Sequence, residues 1–233
     1  MVFSVANNSN NISTSASSLP ASNRSIERVD PPEIKELTKL LKKIDHALLP
    51  GSRSKLWNEI SDTYYALSYD SYFAEGGRRD SALQTLQLYK ARLNEYFLSS
   101  IFKFNRRAAA SPKEYKPVYA EFEKYILHVG KNEFLTQIYL FTQVYFNTEV
   151  KNDRAQSPVQ TYTLRSGECD DISAFIYHFA QKKGIPGELM LLERADSVPK
   201  NRIFHMLFLH KEKSGSTMID QQYSVKTAYT NGG

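Results

Sequence analysis

The chain has 233 residues, of which 41% are hydrophobic and 24% are charged, and its formal net charge is +5. This composition is typical of a globular protein with one large domain or two small ones. No apolar stretch approaches the roughly 18 to 20 residues that cross a bilayer, so we expect no membrane span. A single cysteine excludes a disulfide framework and a multi-cysteine zinc site, and the sequence indicates no cofactor.

The excess of positive charge lies in the first 131 residues, where it occurs as pairs such as Lys42–Lys43, Arg78–Arg79 and Arg106–Arg107. Nucleic-acid binding needs a clustered basic stripe, whereas scattered pairs are typical of solvated helix faces. We therefore expect no nucleic-acid partner.

Residues 1–30 are predicted to form a disordered tail. Met1–Asn23 is rich in Ser and Asn and buries too little apolar surface to offset its ordering entropy. It lacks the basic and continuously apolar regions of a secretory signal peptide. The tail resembles the leaders of bacterial effectors that specialised machines export, and a plain flexible tail is the alternative. The expected location is the cytoplasm, or export without a cleavable signal peptide.

Residues 31–130 are predicted to form a helical region. Apolar residues recur at helical spacing from Ile34 to Leu48 and from Leu83 to Phe102, with a less regular run from Leu56 to Phe73. Ser111–Glu114 is a capping box with proline at the first helical position, and it predicts a helix that continues to Gly130. These helices carry no catalytic constellation, so we expect a scaffold or a docking surface for a partner.

Two further helices are predicted after residue 130. Phe134–Phe146 is apolar almost all the way round, which indicates a helix buried on most sides. Ser157–Gln160 forms a second capping box and predicts a short helical turn. A longer helix follows Gly167, because Ile172, Phe175, Ile176, Phe179 and Ala180 fall on one face before Gly184 and Pro186 end it.

Cys169 lies in the first turn of this longer helix. The helix dipole and the unpaired backbone N–H groups of a first turn favour a thiolate, and the same groups can hold a developing oxyanion. The negative charges of Glu168, Asp170 and Asp171 oppose the thiolate. Cys169 therefore requires a cationic partner to act as a nucleophile.

His205 is the best candidate for that partner. His178 lies nine residues after Cys169 on the same helix, which places it on the opposite side. His205 and His210 lie on a predicted strand that a tight hairpin joins to a second strand. A turn at Glu212–Lys213 pairs Leu209 with Ser216, His210 with Gly215 and His205 with Asp220.

In this register Asp220 can accept a hydrogen bond from one nitrogen of His205 while the other nitrogen addresses Cys169. Two plainer interpretations stay open. Cys169 is an inert packed side chain, or the acidic residues beside it bind a metal ion together with His205.

The residues from about 132 to 223 resemble the transglutaminase-like superfamily of papain-fold cysteine enzymes, and most closely the bacterial transglutaminase-like cysteine proteinases. The resemblance is carried by Ser157–Gln160, by Gly167–Asp171, by Gly184–Pro186, and by His205 and Asp220. It implies Cys169 as nucleophile, His205 as general base and acid, and Asp220 as the group that orients His205. Some members of the family bind calcium through the acids that flank the cysteine, here Glu168 and Asp171.

The sequence thus predicts an α+β fold in which the helical region packs on a papain-like unit, residues 131–233. In that unit the Cys169 helix lies against an antiparallel sheet of Glu188–Glu193, Ile203–His210 and Thr217–Tyr223. The predicted function is a cysteine peptidase that acts on a protein substrate. The alternatives are a transglutaminase or glutamine deamidase with the same triad, and a catalytically silent binding module.

Overall fold

The computed structural model describes residues 30–105, 115–147, 155–194, 203–212, 215–219 and 224–228. The predicted tail, residues 1–30, lies outside this part of the chain except for Asp30. The helices are α1 (Pro32–His46), α2 (Pro50–Phe73), α3 (Gly76–Phe104), α4 (Tyr119–His128), α5 (Lys131–Tyr145), α6 (Pro158–Leu164) and α7 (Cys169–Lys183). The strands are β1 (Glu188–Arg194), β2 (Ile203–Glu212), β3 (Gly215–Ile219) and β4 (Ser224–Ala228).

Helices come first in the chain and strands last, which confirms the α+β class at this level. The four strands form one antiparallel sheet in the chain order β1-β2-β3-β4. The sequence predicted three strands and missed β4. In the described ranges, no helix combines the length and the apolar character that a membrane crossing needs.

The helix predicted from Ser111 begins later than expected. Ser111–Glu114 lies outside the described residues, and residues 115–118 are not helical. Proline disfavours a helical backbone at the residue before it, so Pro117 delays the start to Tyr119. The buried Glu121 carboxylate then accepts hydrogen bonds from the Val118 N–H at 3.3 Å and the Tyr115 hydroxyl at 2.8 Å.

The short helix α6 confirms the second capping box. The Gln160 N–H donates to Ser157 Oγ at 3.3 Å, and the Ser157 N–H donates to Gln160 Oε1 at 2.9 Å. Helix α5 is buried on most sides, as predicted. The predicted apolar face of α7 is also confirmed, because all five of its residues are at most 1% exposed.

The register of the β2–β3 hairpin differs from the predicted one by two residues. Leu209 pairs with Met218 rather than with Ser216, and Glu212 pairs with Gly215 across the turn. The observed register places Phe208 opposite Ile219, and both side chains are fully buried. Burial of this apolar pair on the core face explains the register.

One cluster of buried side chains runs from α1 to β3. Its aromatic centre joins the helical region to α7, because the Phe122 ring of α4 lies 4.2 Å from Phe141, 5.2 Å from Tyr162 and 5.8 Å from Phe175. Helix α7 is therefore fixed from both sides, by α4 and α5 on one and by the sheet on the other.

Candidate active site

Cys169 is the first residue of α7 and is partly exposed. Its neighbour Glu168 is the N-cap residue and has extended backbone angles. The thiol therefore lies where a helix has unpaired backbone N–H groups, as the sequence predicted.

The loop that leads to Cys169 is joined to the end of α5. The Asn147 N–H donates to the Arg165 carbonyl at 2.8 Å, and the Gly167 N–H donates to the Asn147 carbonyl at 3.3 Å. A Cβ atom at Gly167 would lie 2.8 Å from the Cβ of Asp171, so only glycine fits without movement. These contacts fix the backbone just before the thiol.

Arg165 adds a strained backbone position to the same loop. Its φ of 53° lies in the left-handed region, which non-glycine residues rarely adopt. The Arg165 guanidinium lies 4.6 Å from the ring centroid of Tyr145, within the range of a cation–π interaction. This contact helps to hold the turn between α6 and α7 in its conformation.

Asp171 stabilises the start of α7. Its side chain is buried, with one carboxylate oxygen accepting from the Gln156 N–H at 2.7 Å and the other from the Glu168 N–H at 3.1 Å. Both oxygens are thus engaged with backbone groups, which does not fit the calcium site that the resemblance implies for Glu168 and Asp171. The part of the chain that the structure describes contains no group of three His, Cys, Asp or Glu side chains that could hold a metal ion.

Two hydrogen bonds align α7 and the segment that follows it with β2. Ser173 Oγ donates to the Met206 carbonyl at 2.9 Å, and at the other end of the helix His210 Nδ1 donates to the Pro186 carbonyl. Helix and strand therefore run side by side in the same direction. Cys169 precedes Ser173 by one helical turn, about 6 Å, and His205 precedes Met206 by about 3.3 Å. Cys169 and His205 consequently lie at the same end of the contact between α7 and β2.

The two faces of β2 are distinct. The Phe208 ring lies 6.5 Å from Tyr177 of α7, so Phe208 and its alternate residues face the helices. His205 alternates with these residues and shares the opposite face with Leu207. Strand β2 lies between β1 and β3, and the Ser173–Met206 hydrogen bond attaches α7 to it.

The structure describes only part of the predicted triad. Among the described residues, no hydrogen bond joins Cys169 to a histidine. From the sequence we expect the Cys169 sulfur to lie within about 4.5 Å of a ring nitrogen of His205, and this stays a prediction. His205 is half-buried and has an interaction partner. Asp220 lies outside the described residues, and the hairpin register that paired it directly with His205 is wrong in the part that is described.

The other two histidines lie away from Cys169. His178 Nε2 is 3.1 Å from the Tyr119 hydroxyl of α4, which confirms that this side chain points to the opposite side of α7. Burial, together with the charge of Lys182, lowers the pKa of His178. His210 is buried against Pro186, beyond the last turn of α7, and pairs with Thr217 rather than with Gly215.

Sequence reasoning did not assign the contacts of Asp171 with backbone N–H groups or of Ser173 with β2. Signals for both were present: an acid in the third helical position often binds backbone N–H groups at a helix start, and Ser173 is the polar residue one turn after Cys169. Comparisons of the chain with protein-family models, with curated proteins and with solved structures gave no match.

Proposed function

We propose that the chain is a cysteine peptidase that transfers the acyl group of a protein substrate to Cys169 and then to water. His205 serves as general base and acid, and Asp220 orients it. The observation that carries the proposal is the 2.9 Å hydrogen bond from Ser173 to Met206, because it attaches α7, one turn after Cys169, to the strand that bears His205.

In the proposed reaction His205 takes the proton of the Cys169 thiol, and the sulfur attacks the carbonyl carbon of a peptide bond. The negative charge that forms on the carbonyl oxygen is stabilised by N–H groups of the first turn of α7. His205 then gives its proton to the leaving amine, and the peptide bond breaks to leave a thioester. A water molecule, deprotonated by His205, hydrolyses the thioester and restores the thiol.

The surroundings of Cys169 support this role over that of an inert packed cysteine. The side chain is partly exposed, whereas the residues on the apolar face of α7 are buried. The only acid of this turn that is deeply buried, Asp171, is engaged with two backbone N–H groups. These donors offset its negative charge near the thiol.

Three variants test the proposal by the size of their effects. Cys169→Ala should abolish hydrolysis of a denatured protein substrate, because the sequence contains no second thiol. His205→Ala should be nearly as severe. Asp220→Asn should lower turnover by up to about 10⁴-fold and leave measurable activity, since an orienting group takes no part in the covalent chemistry.

His178→Ala is the matched control, because it removes an imidazole from the opposite side of α7 and should leave turnover unchanged. Each variant is assayed after its circular dichroism has been shown to match that of the parent protein. If Asp220→Asn is fully active while Asp196→Asn is inactive, the third group comes from the segment between β1 and β2 and the assignment of Asp220 is wrong.

A catalytically silent binding module is the second candidate. It is favoured by the absence of a hydrogen bond between Cys169 and a histidine in the described ranges, and by an aromatic stripe on α2. The stripe comprises Tyr65, Tyr69, Tyr72 and Phe73, which are 37% to 61% exposed. Iodoacetamide separates the candidates. Fast labelling of Cys169 at neutral pH that slows in His205→Ala supports the peptidase, and slow labelling unaffected by His205→Ala supports the module.

A further inference from the structure

The turn between α1 and α2 exposes two adjacent leucines. Leu48 and Leu49 follow the end of α1 and come directly before Pro50, the first residue of α2. Their side chains are 95% and 69% exposed, and Leu48 is the most exposed large apolar side chain in the part of the chain that the structure describes. Single exposed apolar residues are common on protein surfaces, whereas adjacent ones indicate a contact surface.

These leucines do not belong to the apolar face of α1. That face is buried in the core and consists of Ile34, Leu37, Leu40, Leu41 and Ile44. An amphipathic helix that lies on a partner normally uses its apolar face for the contact. Because α1 has already buried that face, the turn after it is what presents apolar side chains to a partner.

The outward face of α1, beside this turn, is basic. At 100° per residue its cationic side chains and one histidine fall within about 100° of the helix surface. They line one groove of about 520 Å³ and are Lys35, Lys39, Lys42, Lys43 and His46. Among the described residues, only Lys39 of these lysines forms an ion pair, with Glu36 at 3.2 Å. Uncompensated positive charges and exposed leucines are therefore neighbours.

Acidic side chains are few in this part of the chain. Residues 35–55 contain six Lys and Arg and two acids, Glu36 and Asp45. The carboxylate of Asp45 accepts a hydrogen bond from the Tyr96 hydroxyl at 2.8 Å, so it is engaged within the fold. On the other side of the turn Lys55 of α2 is exposed. The surface around the leucines is thus complementary to an anionic partner.

We propose that this turn binds the surface of an anionic lipid bilayer. Leu48 and Leu49 enter the headgroup region, where their burial is favourable, and the lysines of α1 contact the negatively charged headgroups. A nucleic acid would contact the lysines and leave both leucines in water, and protein–protein interfaces are depleted of lysine. The combination of the two features therefore favours a bilayer. The proposal does not depend on the peptidase activity.

The test is cosedimentation of the full chain with vesicles of phosphatidylcholine alone or of an equal mixture of phosphatidylcholine and phosphatidylserine. We expect binding to the anionic vesicles only, and weaker binding at high salt, because salt screens the lysines. The double variant Lys42→Gln/Lys43→Gln should bind about 25-fold more weakly, at about fivefold for each lost charge. Leu48→Ser should bind about tenfold more weakly, because less apolar surface is buried.

Arg78→Gln and Phe73→Ser are the matched controls. They remove an exposed charge and an exposed apolar ring from the opposite end of α2, about 35 Å from the leucines. Both should bind like the parent protein. The substituted side chains of the turn and of α1 are exposed, so all variants should keep the parent circular dichroism.

Three results would overturn the proposal. The first is equal sedimentation of the parent chain with neutral and anionic vesicles, or sedimentation with neither. The second is weaker binding by Phe73→Ser and not by Leu48→Ser, which would assign the contact to the aromatic stripe on α2. The third is parent-like vesicle binding by Leu48→Ser, together with release of the chain from vesicles by a DNA duplex, which would assign the basic face to nucleic acid.

Discussion

At the scale of single residues, Asp171 shows how a charge near a proposed nucleophile can serve the fold. The carboxylate holds the N–H groups of Gln156 and Glu168, so it joins the chain before α6 to the start of α7. Asp170, its neighbour, is less buried and makes no such contact in the described part of the chain. The two acids thus have different roles although they are adjacent.

Asp171→Ala leaves two backbone N–H groups without their acceptor, and we expect it to lower the free energy of unfolding by about 2 to 3 kcal/mol. Asp171→Asn keeps one acceptor oxygen and should cost less. Urea denaturation measures both values, with Asp170→Ala as the matched control, expected within about 0.5 kcal/mol of the parent. Equal losses for Asp170→Ala and Asp171→Ala would show that charge alone, and not the two hydrogen bonds, matters here.

His178 links stability to pH. Burial and the charge of Lys182 lower the pKa of His178. His178 therefore binds a proton less readily in the folded chain than in the unfolded chain, where the pKa of histidine is about 6.5. The contribution of His178 to the free energy of unfolding is therefore fully present above pH ~6.5, and it is lost as the pH falls through the pKa of His178 in the folded chain. We expect His178→Gln to flatten the fall in unfolding free energy over this range. If the plots of unfolding free energy against pH are parallel for His178→Gln and the parent protein, His178 is not the source of this pH dependence.

At the scale of elements, the start of α7 depends on one glycine. Gly167 lies within 2.8 Å of Asp171 Cβ and 3.1 Å of Thr161 Cγ2, measured from where its own Cβ would stand. Gly51, in the first turn of α2, has no atom within 4 Å of the same position. These two glycines form a matched pair, one tightly enclosed and one open.

Gly167→Ala should therefore lower both stability and turnover, because relief of the contact moves the first turn of α7 and Cys169 with it. We expect a loss of about 1 to 3 kcal/mol, in the range of overpacked sites. Gly51→Ala should be neutral or stabilise by up to about 1 kcal/mol, since alanine favours a helix. Thermal unfolding and peptide hydrolysis are measured on both variants. A Gly167→Ala protein with unchanged turnover would show that the loop before Cys169 does not position the thiol.

Elements also show what could be predicted from the sequence. Helix α7 was predictable in full, because five buried residues at helical spacing and the Gly184 stop signal agree with each other. The hairpin register was not predictable, because it depends on which apolar side chains meet across two strands. Phe208 pairs with Ile219, and this pairing excludes the predicted register. The position of Cys169 at a helix start was therefore predictable, whereas a direct His205–Asp220 pairing was not.

At the scale of the whole molecule, the predicted boundary near residue 130 does not interrupt the core. Phe122 of α4, which belongs to the predicted helical region, is fully buried against Phe141, Tyr162 and Phe175, which belong to the unit that bears Cys169. Further towards the N-terminus, Trp57 stacks on Phe97 at 5.6 Å, and Phe97 contacts Phe141 at the same distance. A continuous line of rings thus connects α2 to α7.

This continuity predicts that the two regions unfold together. Phe122→Ala removes a ring at their junction and should cost about 3 to 5 kcal/mol, as for other large buried aromatic side chains. Two probes follow the transition: the fluorescence of Trp57, the single tryptophan, reports on α2 and α3, and hydrogen exchange of backbone amides reports on α7. Because both regions share the ring of Phe122, the two probes should report the same decrease in the free energy of unfolding. Phe73→Ala, which removes an aromatic ring that is 61% exposed, should leave both unchanged. If Phe122→Ala lowers the stability of α7 alone and the Trp57 transition stays in place, the helical region and the Cys169 unit are separate folding units, and the tests of the proposed site can then be made on residues 131–233 alone.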